Sequence, residues 1–395
     1  MIKYVCIFFA KEVVCLNFVI FSAQYLPTVG GIERYTNSLA KKLIEKGHRI
    51  TVVTSSLKNV PDYETDGDGI EIFRIPVKWI MNRRFSIPVP NRDFRRIAEQ
   101  LAERHFDFAI IQTRFYLNSV WASYFCKKHK VPAIVVEHGT AHLIRDGIVG
   151  FIGCAYEHIA AKYVYHNCKN FYGVSLACCQ WLEHFGLKGK GCLYNAVDPE
   201  LVKSTAEKGD ATLKEKISFE GKTTIAFAGR FIKEKGVVNL ANAFKEINRR
   251  FPDVQLVMAG DGELWQTVKD MNVENLILPG NLSYEHSLAL LKNSEIFCLP
   301  TFSEGFSTSV LEAAALKAMI ITTKTGGSPQ LIKDENHGIL IDSMESGDIV
   351  SALDKALKDI EWCRRCADNA QENLVAHFTW DQVAEEFLNI YNRHR

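Results

Sequence analysis

Ile296-Phe297-Cys298-Leu299-Pro300-Thr301-Phe302-Ser303-Glu304-Gly305-Phe306-Ser307-Thr308-Ser309-Val310-Leu311-Glu312 joins an apolar run, a loop and the start of an Ala-rich segment. The run 296–299 reads as a buried strand, and 310–317 reads as a helix. Ser307 or Thr308 stands where a helix N-cap is expected, with a short side-chain oxygen for a free backbone N–H. Glu304 falls on the loop and Glu312 in the first turns of the helix. A strand end, free amide donors and two carboxylates suit an anionic ligand rich in hydroxyls. A capped helix carrying two solvated glutamates fits the same residues, so the rest of the chain must decide.

Outward from this stretch the pattern repeats. Residues 224–228, 254–259, 276–278, 319–322 and 339–341 read as strands. Segments 237–249, 264–271 and 287–292 read as the helices between them, and 349–391 is helical to near the end. An earlier series precedes it. Strand 17–23 passes through Pro27-Thr28-Val29-Gly30-Gly31 into a helix with Ile32, Tyr35, Leu39, Leu43 and Ile44 on one face, and strand 49–54 follows Gly47. Strands 70–75, 108–112, 133–137, 171–174 and 192–194 alternate with helices 94–104, 117–128, 152–166 and 177–185. Residues 204–220 are charged and weakly patterned, as at a domain junction. Two strand–helix series in tandem predict an α/β protein of two Rossmann-like domains, each a parallel sheet covered by helices. Ligands of such sheets bind beyond the C-terminal strand ends, so the two sets of loops would face one cleft.

Size agrees: 395 residues exceed the about 250–300 at which a single core stops growing. A net charge of +1 gives no footprint for nucleic acid. Eleven cysteines, an odd number without framework spacing, point to a reducing compartment. Cys126, Cys192 and Cys298 lie in apolar runs and read as small buried hydrophobes. Cys363 and Cys366 form a CxxC without a second pair. The apolar N-terminus is interrupted by Lys11 and Glu12 and is too short to span a membrane. Residues 1–15 read as an extension and the domain starts near Leu16. These features give a cytoplasmic expectation.

Three further loops sit where chemistry is expected. Gly30 and Gly31, between a strand and a helix, let the backbone approach a phosphate; a tight turn needs them equally. Gly229-Arg230-Phe231-Ile232-Lys233-Glu234-Lys235-Gly236 follows the first strand of the second series. Arg230 can grip phosphate oxygens bidentately and Lys235 adds a compact charge. His138, at the end of strand 133–137, can hydrogen-bond a hydroxyl or shuttle a proton, or serve structure alone. Gly260 to Gly262 and Gly326-Gly327 either close over a ligand or turn the chain.

The order and spacing of Pro27 to Glu33, Gly173-Val174-Ser175, Tyr194-Asn195-Ala196-Val197-Asp198, Gly229-Arg230…Lys235-Gly236, Ala259-Gly260-Asp261-Gly262 and Glu304-x7-Glu312 resemble the retaining GT-B glycosyltransferases of family 4, from about Asn17 onward. The resemblance implies domains at 16–198 and 199–376, with 377–395 returning to the first. It implies Arg230 and Lys235 on the donor diphosphate and Gly30-Gly31 closing over it. Glu312 would bind the nucleotide ribose and Glu304 the donor sugar, beside the amides of Phe306, Ser307 and Thr308. His138 would lie at the sugar's reacting face. The catalytic pair is thus His138 and Glu304. Two positions depart from the family: Gln330 stands where it often has Glu, and Ser307 where it often has Gly.

No D-x-D metal clamp stands among these site loops, so Arg230, Lys235 and helix N-termini would stabilise the leaving nucleoside diphosphate without a metal. The implied activity needs no cofactor beyond its UDP- or GDP-sugar substrate. It is the retaining transfer of a hexose-type sugar to a glycan or lipid-linked acceptor, in cell-envelope polysaccharide or lipopolysaccharide synthesis. A nucleotide-sugar epimerase on the same fold, or a non-catalytic nucleotide-sugar or glycan binder, are the alternatives. Residues 78–96 combine Lys78, Arg83, Arg84, Arg92, Arg95 and Arg96 with Trp79, Ile80, Met81, Phe85 and Ile87. That mixture suits peripheral contact with an anionic membrane.

Overall fold

The computed structural model describes residues 14–28, 30–81, 85–143 and 147–395. Most of the N-terminal extension, together with Val29, Arg83 and Arg84, lies outside the described residues. The first half carries β1 (Asn17–Phe21), β2 (Arg49–Ser55), β3 (Tyr63–Thr65), β4 (Glu71–Ile75), β5 (Val77–Ile80), β6 (Phe85–Pro88), β7 (Phe108–Gln112), β8 (Ala133–Glu137), β9 (Phe171–Gly173) and β10 (Gly189–Cys192). Eight of these form one sheet in the order β10-β9-β8-β7-β1-β2-β4-β3. It is parallel except at the β3 edge. The second half carries β11 (Thr223–Ala228), β12 (Val254–Ala259), β13 (Leu276–Gly280), β14 (Ile296–Leu299), β15 (Met319–Thr323) and β16 (Ile339–Ile341). They form a parallel sheet ordered β13-β12-β11-β14-β15-β16.

Each sheet reverses its winding at one point. β1 lies between β2 and β7, and β11 between β12 and β14. Adjacent helices leave toward opposite faces there, and a crevice opens beyond the strand ends. β7, β8, β12 and β14 are buried at every position, as strands covered by helices on both faces must be. The chain ends in the helix Trp380–His394, whose Phe387 and Tyr391 meet Phe18 edge-on at 5.0 and 5.7 Å, so the C-terminus packs on the first sheet. Val197 bridges to Thr379, setting the two crossings between domains side by side.

Three elements differ from the sequence expectation. Much of the 204–220 segment, read as junction, belongs to a helix, Pro199–Lys214, capped by Asp198. Its apolar face is narrow because Gly209 packs directly on the helix Tyr284–Lys292; a Cβ there would lie 2.6 Å from the Glu285 carbonyl oxygen. β5 and β6 form an antiparallel hairpin in a segment to which the sequence reading assigns no element. The last strand of the first sheet begins at Gly189, earlier than its apolar residues suggest, because β9 pairs with that segment.

Two glycine loops interlock beside β11. Gly260, at φ +137°, has the Gly229 carbonyl oxygen 1.8 Å from where a Cβ would be, and Phe231 N–H donates to the Asp261 carbonyl at 2.9 Å. Gly236, at φ +64°, sits on Pro300, whose carbonyl oxygen would lie 2.2 Å from a Cβ. Thr301 Oγ1 then donates to the Glu234 carbonyl at 2.8 Å. These contacts fasten the Arg230–Lys235 loop to the start of the Glu304 loop. Gly236→Ala is expected to destabilise the protein by about 1–3 kcal/mol, since the added Cβ meets backbone and the φ is left-handed. Gly31→Ala meets nothing within 4 Å and should leave the urea midpoint unchanged or raised. Equal midpoints for the two variants would contradict the interlock.

Candidate functional site

The loops after β14 and β8 touch across the domain seam. Gly305 lies so close to the first domain that a Cβ would stand 1.9 Å from the His138 carbonyl oxygen. Thr140 Oγ1 donates to the Glu304 carbonyl at 2.9 Å. Asn195 Nδ2 donates to the Phe306 carbonyl at 2.8 Å and to Thr308 Oγ1 at 3.0 Å. Gly326, at φ +54°, and Gly327 pack closely against Glu304, Gly305 and the Phe306 ring. Phe306 is itself buried against Phe378 and Tyr194. Its side chain belongs to the seam, and only its backbone is offered to a ligand.

Lys235 and Glu304 meet each other here. The Lys235 ammonium donates to Glu304 Oε1, both side chains being mostly buried. Arg230, on the same loop, is exposed. The helix Thr308–Ala315 begins beside Glu304, and its N-cap Ser307 makes no side-chain capping bond. Ser307 Oγ instead pairs with Ser309 Oγ at 3.0 Å. The first amides of this helix therefore have no partner within the helix and carry its positive dipole end.

Glu312 lies one turn deeper. Its side chain is 8% exposed and Arg34 Nη1 of the first domain stands 3.7 Å from Oε1, an ion-pair distance without a hydrogen bond. Glu312 Oε1 is buried with no hydrogen-bond partner. Burial raises its pKa from the ordinary 4.5 to about 7, with Arg34 and then Tyr284 opposing the rise. Arg34 also lies over the Tyr284 ring at 4.6 Å.

His138 reaches the seam from β8. Its Nε2 is 2.6 Å from Gln112 Oε1, and Gln112 Nε2 donates to Thr36 Oγ1 at 3.1 Å. That assigns the Gln112 oxygen to the histidine, so Nε2 carries the proton and is already engaged. Burial pushes the His138 pKa down to about 3, which keeps the ring neutral. Tyr35 packs edge-on against it at 4.8 Å. In this state Nε2 is not free to shuttle a proton, and hydrogen bonding is what the ring can offer. Gly30 caps the helix Gly31–Glu45. Glu33 folds back over it, Oε2 lying 2.4 Å from where a Gly30 Cβ would be. The carboxylate is buried and its pKa raised by that burial. It covers the helix end at which a phosphate was expected, so an arriving anion must displace it.

The structure thus brings His138, Glu304, Lys235, Phe306, Ser307, Thr308 and Glu312 to one seam. Arg230 is exposed on the Lys235 loop, Gly30 lies under Glu33, and Gly31 is exposed. Arg34, Tyr284, Gln112 and Glu33 escaped the sequence reading. Arg34 and Glu33 follow the Gly-Gly turn directly, and that position at a helix start was the available signal. Gln330 offers its backbone carbonyl to Asn373 Nδ2 at 3.0 Å.

This is the arrangement of a two-domain sugar-transferring enzyme, and comparison with known proteins agrees. Residues 29–201 match the family described as Glycosyltransferase Family 4, and residues 210–373 match Glycosyl transferases group 1. The chain belongs to this GT-B glycosyltransferase superfamily and is a retaining glycosyltransferase acting on nucleotide-sugar donors. It is 25% identical to an uncharacterized glycosyltransferase of Methanocaldococcus jannaschii over 96% of this chain and 98% of that protein. It is 22% identical to the matching subunit of human phosphatidylinositol N-acetylglucosaminyltransferase, over 95% of this chain and 76% of that one. Among solved structures, Anabaena HepE in complex with UDP-glucose shares the fold, with a TM-score of 0.73, 15% identity, and 96% and 100% of the two chains covered.

The raised Glu312 pKa makes stability depend on pH. Between pH 4.5 and 7 the folded protein holds a proton that the unfolded chain has released, so stability falls as pH rises through that window. Glu312→Gln should remove this fall and stabilise the ligand-free protein at pH 8 by roughly 1–3 kcal/mol. Denaturant melts of both proteins across this pH range test it; parallel curves would refute the assignment.

Proposed function

We propose that the protein transfers a hexose-type sugar from a UDP- or GDP-sugar to a lipid-linked acceptor at a membrane surface, in cell-envelope polysaccharide or lipopolysaccharide synthesis. The Lys235–Glu304 pair beside the open amides of the helix Thr308–Ala315 carries this reading. An ammonium and a carboxylate already mated in a mostly dry seam are held ready for a ligand that is anionic at one end and hydroxylated at the other. A donor diphosphate takes over Lys235, with Arg230 at the exposed edge and the helix amides behind. Glu304, released, accepts from sugar hydroxyls. The unpartnered Glu312 Oε1 accepts from a ribose hydroxyl, which would supply the hydrogen bond that burial denies it.

Transfer breaks the bond between the anomeric carbon and the diphosphate oxygen and forms one to the acceptor oxygen. The acceptor proton passes to the departing diphosphate, which accounts for retention on one face. Lys235, Arg230 and the helix amides stabilise the charge that builds on the leaving group. The pairing of Glu304 with Lys235 favours a binding role for this carboxylate over a nucleophilic one. His138 donates through Nε2 and is held by Gln112, which supports a positioning role.

The acceptor reading rests on the first domain's surface. The helix Gly147–Asn167 exposes Phe151, Ile152 and Ile159 at 78, 62 and 70%, with Tyr163 and Lys162 also exposed. Residues 152, 159 and 163 share a face at helical spacing. The β5–β6 hairpin adds exposed Lys78, Ile80 and Met81. Trp79 and Phe85 leave the expected patch: Trp79 donates to the Ser56 carbonyl at 3.0 Å, and Phe85 is buried against Tyr116 and Tyr156. An apolar stripe with basic flanks suits reversible contact with a bilayer surface. No described helix is long and apolar enough to cross a membrane. The phosphatidylinositol in the human relative's name fits a lipid acceptor, and the UDP-glucose of HepE fits a UDP-sugar donor.

Thermal-shift screening against UDP-, GDP- and ADP-sugars should reveal one nucleotide that raises the melting temperature. Lys235→Ala should abolish that rise and lower turnover by at least about 10²–10³-fold with the fold retained. Near-normal turnover in this variant would sink the diphosphate assignment.

A further inference from the structure

Outside the donor seam, the loop that carries His138 and Thr140 continues into a cluster of ligating side chains. His142 Nε2 lies 3.1 Å from His184 Nε2 and 3.4 Å from Cys154 Sγ. All three atoms lie within 4.8 Å of one another. They come from three elements: the loop after β8, the helix Gly147–Asn167, and the end of the helix Leu176–Glu183, where His184 is the C-cap. We infer that His142, Cys154 and His184 form a binding site for a Zn2+-class transition metal ion.

Three observations support this. The first is distance. A tetrahedral ion with bonds of about 2.0–2.1 Å to nitrogen and about 2.3 Å to sulfur holds its ligands about 3.3 Å (N to N) and about 3.6 Å (N to S) apart. The two separations from His142, 3.1 and 3.4 Å, match these, and the Cys154–His184 pair lies within 4.8 Å. The second is orientation. His142 Nδ1 is 3.1 Å from Glu157 Oε2, and Glu157 is anchored by Arg114 Nη2 at 2.8 Å and by the Leu143 amide at 2.8 Å. A carboxylate on the far nitrogen puts the proton there and leaves Nε2 a bare lone pair aimed at the cluster. Without an ion, that single lone pair must accept from both the Cys154 thiol and His184. With one, all three lone pairs are used. His158 is a neighbour rather than a ligand, since its Nδ1 is 2.9 Å from the Cys154 carbonyl oxygen.

The third is charge. Arg114 bonds Glu137 at 2.6 Å as well as Glu157, and the three side chains are 0, 1 and 3% exposed. One guanidinium between two carboxylates leaves this buried network one negative charge in excess. A divalent ion bound to one thiolate adds one positive charge, and the sum is neutral. A thiolate with two imidazoles selects Zn2+-type ions over Mg2+ or Ca2+, which prefer oxygen. His184 is exposed, so the fourth position opens to water. The ion would act structurally, tying the 138–143 loop to two helices. Glu137 Oε1 accepts from the amides of His138 and Gly139 at 3.2 and 3.1 Å, so the network reaches the seam without entering it.

The test uses the full chain without a histidine tag, stripped by chelator and titrated with Co2+ and then Zn2+. One Co2+ per chain with a thiolate-to-cobalt charge-transfer band, displaced by Zn2+, is expected. Cys154→Ser should lose the band. His184→Ala, at an exposed side chain, should weaken binding at least as much as the about 10–100-fold that loss of a ligand's supporting partner costs. Circular dichroism of each variant confirms the fold. Absence of the band in the native chain, its survival in Cys154→Ser, or unchanged affinity in His184→Ala would each overturn the site.

Discussion

Gly305 meets the His138 carbonyl with no room for a side chain between them. Around this contact Thr140 holds the Glu304 carbonyl, and Asn195 holds Phe306 and Thr308. Each neutral hydrogen bond contributes only about 1 kcal/mol net. Their value is positional: they lock the backbone of the Glu304 loop to the first domain and leave its side chains and helix amides for a ligand. The two winding reversals, one in each sheet, bring their strand ends to this same seam, so the cleft follows from topology and its width from a missing Cβ.

The seam is electrostatically self-contained without substrate. Lys235 faces Glu304, Arg34 stands near Glu312, and Glu33 covers the helix end at Gly30. Lys235 and Glu304 already hold each other where a donor would hold them. Binding is then an exchange of partners, and the site has already been dried during folding. Glu312 is the exception. Its orphan oxygen and its pKa near 7 mark a carboxylate that folding has left short of a hydrogen bond. Such a shortfall is tolerated where a ligand cancels it.

Behind the seam, Arg114 with Glu137 and Glu157 forms a buried brace for the loop from His138 to Leu143. Buried ion networks are not in general stabilising against apolar replacements. Here the network fixes where a loop lies, as the Gly229–Gly260 interlock does for the Lys235 loop. Both are rigid supports beneath flexible chemistry.

Strand and helix identities were legible from the chain because period and punctuation are local. The Val/Ile/Phe-rich runs of β7, β8, β12 and β14 are continuous since both faces are covered, and Pro300, Gly305 and Gly236 mark the turns. The donor-side residues were legible because strand ends in such sheets converge by rule. What only the tertiary structure decided is pairing: Lys235 with Glu304, Arg34 with Glu312, Gln112 with His138, and His142 with Cys154 and His184. These partners stand from 12 positions apart (142 to 154) to 278 (34 to 312), and no periodicity links them. The helix Pro199–Lys214 was missed for the same reason, since its face is defined by the neighbour it packs on. Sequence determined the parts and their order, because those depend on neighbours along the chain. The charge state and availability of each group depend on neighbours through space, and only the folded molecule supplies them.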